Sequence, residues 1–572
     1  MTIIKYPPES QWDDIVKRPT INYSELHEKV GAILDAVKNR GDLAVREYSL
    51  NFDGVTISNF RVTEKEISDA EKQIPLELKE AILHAKTNIE KFHSAQLKDF
   101  PKIKTTTGVV CWQKAVPIEK VGLYIPGGTA PLFSTVLMLA VPAKIAGCRE
   151  IILCSPPDRE GKIHPAILFA ATVSGVDKIF KVGGAQAIGA MAYGTETIPK
   201  TYKIFGPGNQ YVTAAKQLVS LQDVAIDMPA GPSEVEVIAD ETANPAFVAA
   251  DLLSQAEHGI DSQSILATNS QYLAEKVVHE IEVQLEALPR KEITTKALLN
   301  SRIIVLQTWD EIVAFTNRYA PEHLIIETLN YYEIADQIVN AGSVFLGHYS
   351  PESAGDYASG TNHTLPTNGY AKAYSGVNVD SFLKKITYQE ISKEGIRNLG
   401  KTIQILAEHE NLHAHKNAVT LRLQDPSPCT FSPFTLEHGS SEYLSMCRLR
   451  DKTLRKPIGL RLTEAEMSRD KNDILLAFME NGEVIACCIL SEINQETVQL
   501  RQMAVEPDYQ YKGIGKELIL FAEKTAKENQ YTIIRMHARK TALGFYEKCG
   551  YTVIGEEFTE VGIPHFEMVK EI

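Results

Sequence analysis

Four short stretches concentrate side chains that can bind a metal or move protons. In DLLSQAEHGIDSQ (251–263), Gln255 and His258 stand three residues apart at the end of a predicted helix, so they share one face and can grip one ion. The same histidine can instead serve the negative carbonyl end of its helix. APEHL (320–324) sets Glu322 beside His323 where a helix gives way to a strand, an acid and an imidazole able to divide proton transfers. GDYASGTNH (355–363) offers Asp356 and His363 in a Gly/Ser-rich loop, and EHENLHAHKNAV (408–419) gathers Glu410, His413 and His415. A single charged cluster is ordinarily a solvated face. Several titratable clusters flanked by small or apolar residues, in a chain with 15 histidines, point to a site.

Three glycine-rich turns complement them: Tyr124 with Gly127–Gly128, Gly183–Gly184 with Gln186, and Gly206-Pro207-Gly208-Asn209. Each exposes backbone amides at a predicted helix start, where a pyrophosphate can sit, and each also reads as an ordinary tight turn. No G-x-G-x-x-G opens a helix in this region, so a dinucleotide would have to use these turns instead.

The elements that must position these groups follow from hydrophobic texture. Residues 24–50 and 64–94 carry apolar residues at helical spacing among charges and read as a docking or support layer. From about 118 the chain alternates apolar runs with helix-like segments: 121–128, 151–157, 178–187 and 203–210, then 233–240, 262–270, 301–308, 323–328 and 341–347. That is the βα alternation of two parallel sheets in tandem, with a site expected beyond the carboxyl ends of their strands. QDPSPCTFSPFTLEHGSS (424–441) is Pro/Ser-rich and aperiodic and reads as a linker. The 572 residues exceed what one core accommodates, which is roughly 250–300.

A net charge of −14 without a dense basic block argues against nucleic acid as a partner. No stretch reaches the roughly 20 apolar residues of a membrane span, and the amino terminus lacks a leader pattern, so a cytoplasmic location is expected. Eight cysteines without a C-x-x-C pair fit reduced thiols.

VGLYIPGGTAPLFSTVLMLAVPAKIAGC (121–148), VGGAQAIGAMAYGT (182–195), FGPGNQYVTAAK (205–216), DMPAGPSEV (227–235), SQAEHGIDSQ (254–263) and GDYASGTNHTLPT (355–367) together resemble the histidinol dehydrogenase family over roughly 10–425. The resemblance implies two Rossmann-like α/β domains in residues 1–425, with helical amino- and carboxyl-terminal extensions. It implies oxidation of L-histidinol through the aldehyde to L-histidine with two NAD reduced. It further implies zinc held by Gln255, His258, Asp356 and His415; substrate contacts from Ser233, His323, His363 and Glu410 as well as the zinc ligands; and NAD contacts from Tyr124, Gln186 and Asn209. His323 is then the base for the alcohol and Glu322 the base for the water that hydrates the aldehyde. Members of the family are homodimers, with the Glu410–His415 segment completing the partner's site. A thiohemiacetal route through Cys148 or Cys154 competes with this chemistry but lacks a neighbouring histidine. A zinc hydrolase using Glu322 is a further alternative, though it leaves the three glycine turns without a ligand.

After the linker, 426–440, residues 471–499 read as paired strands with a turn at Asn481-Gly482, QLRQMAVEP (499–507) as another strand, and QYKGIGKELILFAEKTAKEN (510–529) as a glycine turn opening an amphipathic helix. With TIIRMHA (532–538) and ALGFYEKCGYTV (542–553), residues 441–572 resemble the GCN5-related N-acetyltransferase (GNAT) α/β fold. The resemblance implies that Val505, Gln510, Lys512, Gly513, Gly515 and Lys516 bind acetyl-CoA and that Tyr546 protonates the departing thiolate. The acetyl acceptor is left unassigned, with Glu506 and His565 both available as bases. An inactive or acyl-CoA-sensing domain is the alternative.

Overall fold

Short β-branched runs stopped by Gly or Pro become strands, and the Ala/Leu-rich segments between them become the crossover helices that bury both. In a computed structural model, residues 1–18, 23–127, 130–229, 231–424, 433–480 and 482–572 are described. Two compact units emerge: Met1–Lys102 with Trp112–Tyr388, and Ile103–Cys111 with Gln389–Ile572.

The first unit contains two parallel sheets. One runs, in spatial order, Lys178–Lys181, Glu150–Ser155, Lys120–Tyr124, Lys203–Phe205, Ala225–Ile226. Numbered along the chain this is 3-2-1-4-5, so the connection reverses direction between Lys120–Tyr124 and Lys203–Phe205, where a crevice opens at the strand ends. The helix Phe133–Ala146 buries eleven of its fourteen residues because the sheet covers one side and Leu76–Ser94 the other. On the opposite face Tyr23–Arg40 packs on Gly184–Tyr193 and Gln210–Ser220 through Val30, Leu34 and Val37. The expected amino-terminal layer therefore clads both faces of this sheet.

The other sheet runs Thr2–Lys5, Arg302–Val305, Gln263–Thr268, Glu234–Ala239, His323–Glu327, Ser343–Leu346, all parallel. It repeats the 3-2-1-4-5 order and adds Thr2–Lys5 as an edge strand, a four-residue run too short to show a period in sequence.

The second unit carries an antiparallel hairpin, Ile103–Thr106 with Val109–Pro117, pairing through residues up to Cys111. It also contains the helices Lys393–His409 and His413–Gln424, with Asn411 at φ +59° between them. Its seven-stranded sheet runs Phe434–Leu436, Ile474–Glu480, Glu483–Glu492, Thr497–Val505, Ile533–Arg539, Ile563–Glu571, Thr552–Glu560. Phe434–Leu436 lies inside the stretch expected to be linker and pairs with Ile474–Glu480; residues 425–432 of that stretch, Gly128 and Asn481 lie outside the described residues. No described helix is long and apolar enough to cross a membrane.

Candidate active site

Strand Glu234–Ala239 pairs with His323–Glu327 in the second sheet, with His323 opposite Val235. Glu322 and His323 therefore enter at the amino-terminal ends of these strands. In the second sheet this differs from the expectation of a site beyond the carboxyl ends of the strands.

The backbone of Glu234 orients both groups. Its N–H donates to Glu322 Oε2 (2.9 Å), and its carbonyl accepts from His323 Nδ1 (3.3 Å). A carbonyl only accepts, so Nδ1 carries a proton, and in the neutral ring Nε2 is the free nitrogen. The Glu234 carboxylate is itself gripped by Arg18, with Nε on Oε1 at 2.5 Å and Nη2 on Oε2 at 2.8 Å, a bidentate pair that fixes the strand end.

Around His323 stand three carboxylates. Nδ1 is 3.8 Å from Glu322 and 3.6 Å from Glu352, and Nε2 is 3.5 Å from Asp356 Oδ1. The last contact is an ion-pair approach at the limit of hydrogen-bonding distance, and Nε2 and Oδ1 are both buried without a hydrogen-bond partner. Burial pushes Glu322 up to about 8. Burial works against the His323 imidazolium, but Glu352, Glu322 and Asp356 together outweigh it and push it up to about 10. Burial raises Glu352, and the neighbouring Asp356 and Glu322 reinforce the shift.

Gln255 ends the helix Pro245–Ala256, while His258 lies just past it, brought alongside by the turn in which its N–H donates to the Gln255 carbonyl (3.2 Å). The fully buried Gln255 carboxamide, oriented by its hydrogen bonds, donates to Glu352 and accepts from Glu234 N (3.0 Å). Asp356, expected in a loop, sits on the short helix Glu352–Tyr357. His363 Nδ1 lies 2.9 Å from the Asp356 carbonyl and its Nε2 3.1 Å from Thr135 Oγ1. Ser233 directly precedes Glu234, its carbonyl accepting from Gln263 N.

His258, Glu352 and Asp356 offer ligand atoms within 4.8 Å of one another. This mixed nitrogen and oxygen set, with the partnerless Oδ1 among it, fits a divalent cation such as zinc. Gln255 adjoins the set, but its oxygen is taken by the Glu234 amide. Glu352 is the residue sequence reasoning missed; its signal was the E-x-x-x-D spacing to Asp356, one helical turn, obscured because the segment reads as a loop. Glu410 and His415 belong to the second unit and are solvent-exposed.

At the carboxyl ends of the first sheet lies a cavity of about 1270 Å³ lined by Tyr124, Gln186 and Asn209 together with Gly127 and Gly184. It exceeds the ~300–1,000 Å³ of ordinary small-molecule sites and suits a dinucleotide. Both amide atoms of the buried Gln186 lack partners, as a ligand-facing group would. The turns also have structural reasons: Tyr124 Oη accepts from Gly184 N (3.0 Å), Asn209 Oδ1 caps its helix through Tyr211 N (3.0 Å), and a Cβ at Gly183 would meet Pro156 at 2.4 Å. Burial pushes the Cys148 thiol up to about 12, and Cys154 is raised too, so neither is poised as a thiolate.

In the second unit, Thr497–Gln499 pairs with Ile533–Arg535 and the two parallel strands then part. Gln502 at φ +50° and a register shift against Cys487–Ile489 bend the free end around Val505. Gly513, at φ +87°, starts the helix Ile514–Glu528 without a side-chain cap, so its first amides are available to an anion. Gln510, Lys512, Gly513 and Lys516 are exposed, and Gly515 faces Phe545 and Met503. Tyr546 Oη donates to Met503 Sδ (3.6 Å), and burial raises its phenol, keeping it protonated. Glu506 pairs with Lys452 (2.5 Å), and His565 is buried with Nδ1 2.8 Å from the Ile563 carbonyl. Both proposed bases are thus engaged.

Residues 16–423 match the family model for histidinol dehydrogenase, and residues 447–572 that for an acetyltransferase (GNAT) domain. A histidinol dehydrogenase of Bacteroides fragilis is 65% identical over 425 residues, 74% of this chain and 99% of that protein. One from Campylobacter jejuni is 54% identical over 419 residues, covering 73% and 97% respectively. The crystal structure of histidinol dehydrogenase from Elizabethkingia anophelis superposes with a TM-score of 0.73 at 55% identity, covering 74% of this chain and 98% of that one.

Proposed function

The chain belongs to the histidinol dehydrogenase family and continues into a GNAT domain, and from that premise we propose a division of labour. Residues 1–425 oxidise L-histidinol through the aldehyde to L-histidine, and residues 441–572, joined by 426–440, transfer an acetyl group from acetyl-CoA to an amine. The observation that carries the first part is the pair Glu322–His323, both oriented by one backbone unit, Glu234.

His323 Nε2, left free by the Nδ1 contact, takes the alcohol proton as the carbon gives up hydride. Glu322, buried and raised toward neutrality, takes a proton from the water that adds to the aldehyde carbonyl. Bound NAD would supply the hydride acceptor, held along Tyr124, Gln186 and Asn209. Zinc held by His258 and Asp356, with Gln255 or Glu352 and His415, would anchor the substrate's nitrogens and screen the carboxylates that now keep His323 protonated. Ser233 and His363 border the space left for the substrate. Glu410 and His415, exposed on their helical segment, complete the site of a second subunit in a homodimer. The described cysteines are all free, which supports a reducing, cytoplasmic setting.

In the GNAT domain, Val505 flanks the pantetheine arm and Gln510, Lys512, Gly513, Gly515 and Lys516 surround the phosphates, while Tyr546 donates its proton to the thiolate. Its parted strands and uncapped helix start support this reading.

The deciding experiment is NADH formation from L-histidinol before and after chelation and zinc return. Two NADH per histidine, lost on chelation and restored by zinc, is the expected result. Hydrolysis without NADH would favour the zinc hydrolase instead.

A further inference from the structure

We infer that the amino-terminal helical layer, through Phe52 and Asp53, builds the adenosine half of the dinucleotide site and selects NAD over NADP. This rests on the reading that the dinucleotide occupies the large cavity of the first sheet.

The lining of the cavity comes from two distinct parts of the chain. In one, Ala130 and Pro131 lead into the helix Phe133–Ala146, whose Thr135 hydroxyl is 3.1 Å from His363 Nε2 and so borders the proton-transfer cluster. Hydride passes only between atoms in contact, so the nicotinamide belongs here. The adenosine must then lie toward another wall.

That other wall comes from the amino-terminal layer, namely Lys29, Ile33, Tyr48, Phe52 and Asp53. The helix Asp42–Tyr48 passes into a π-helical turn, Ser49–Asp53, closed by Gly54 at φ +70°. Single π turns cluster at functional sites, because the extra residue per turn re-aims side chains. Here the turn stacks Phe52 on Tyr48, with centroids 5.5 Å apart and planes within 13°, and leaves Phe52 59% exposed. An exposed planar ring braced by a second ring beneath it is a platform for a flat base.

Asp53 follows immediately. Its Oδ2 is buried and without a hydrogen-bond partner, and its carboxylate lies near the Tyr124 phenol, which lines the same cavity. A carboxylate that no protein donor satisfies is a strong acceptor for a ligand hydroxyl. A purine joined to a ribose diol presents a flat face and adjacent donors, which this pair of residues matches. A 2′-phosphate would bring a second negative charge against Asp53, hence the preference for NAD.

The test is calorimetric binding of ADP-ribose, nicotinamide mononucleotide, NAD and NADP to the full-length protein and to Phe52→Ala and Asp53→Asn. The exposed ring and the isosteric amide leave folding intact, checked by thermal melts. The expected results are ADP-ribose affinity about tenfold weaker in Phe52→Ala, an NAD-to-NADP affinity ratio about tenfold smaller in Asp53→Asn, and nicotinamide mononucleotide unchanged in both. If the unmodified protein binds NAD and ADP-ribose but neither variant alters them, the inference is wrong while the cavity assignment stands. If the unmodified protein binds none of the four, the cavity assignment itself falls and takes this inference with it.

Discussion

Glu322 and His323 are neighbours in sequence but meet different surroundings. Glu322 is buried against the Glu234 amide, while His323 turns its free nitrogen toward Asp356. A Glu322→Gln variant should retain the first oxidation while losing ~10²–10⁴-fold in the second. Accumulation of aldehyde with one NADH per histidinol would reveal it, whereas equal loss of both steps would refute the division. Burial raises Glu322 to about 8, so its base form becomes the major one only as pH rises through that value, and aldehyde oxidation should climb with it. The climb should vanish in the Gln variant.

At the scale of elements, the switch points of the two sheets are used differently. In the first, the turn after Lys203–Phe205 is clamped: Gly206 N–H donates to Asp227 (2.8 Å) and Lys216 donates to the Gly206 carbonyl (2.7 Å). With φ +123° and an added Cβ only 2.0 Å from the Tyr124 carbonyl, Gly206→Ala should cost ~3 kcal/mol or more and lower the denaturation midpoint. In the second sheet the carboxyl end of His323–Glu327 holds Glu327, whose buried carboxyl oxygens lack a hydrogen-bond partner and which lies beside Asp251 and 3.8 Å from His348. Burial lifts Asp251 to about 7 and Glu327 to about 8. Both folded-state values lie above those of the unfolded chain, so stability is full at low pH and declines from ~pH 4 up to about 8. Glu327→Gln removes the Glu327 share of that decline and leaves that of Asp251, and should stabilise by ~1–3 kcal/mol at pH 8 and little at pH 5, as urea unfolding at the two pH values would show.

For the whole molecule, a site completed by a second subunit makes a demanding prediction. Mixed dimers of Glu322→Gln with His415→Asn carry one site with both defects and one with neither. Measured as histidine formed, the step that both single variants lose, co-refolding should therefore restore about a quarter of the unmodified activity. No recovery would mean that each chain supplies its own His415. Because Glu410 and His415 are exposed and share no site residue with the GNAT domain, acetyl-CoA should leave that recovery unchanged.

Much of this was legible in sequence because it is local. Apolar runs punctuated by Gly and Pro announce strands such as Gln263–Thr268, and the segments holding Gln255–His258, Glu322–His323 and Asp356–His363 stood out as titratable residues in small or apolar settings. What the sequence could not disclose depends on contacts between distant segments. Arg18 reaches Glu234, a separation of 216 residues, and so positions the backbone that orients both bases. Glu352 enters the metal-ligating set only once its segment is seen to be helical, and Phe52 and Asp53 face the cavity only because a π turn rotates them there. Hydrophobic periodicity records which side of an element is buried; it does not record which distant partner a buried polar group will meet, and that pairing is decided only when the sheets and helices pack.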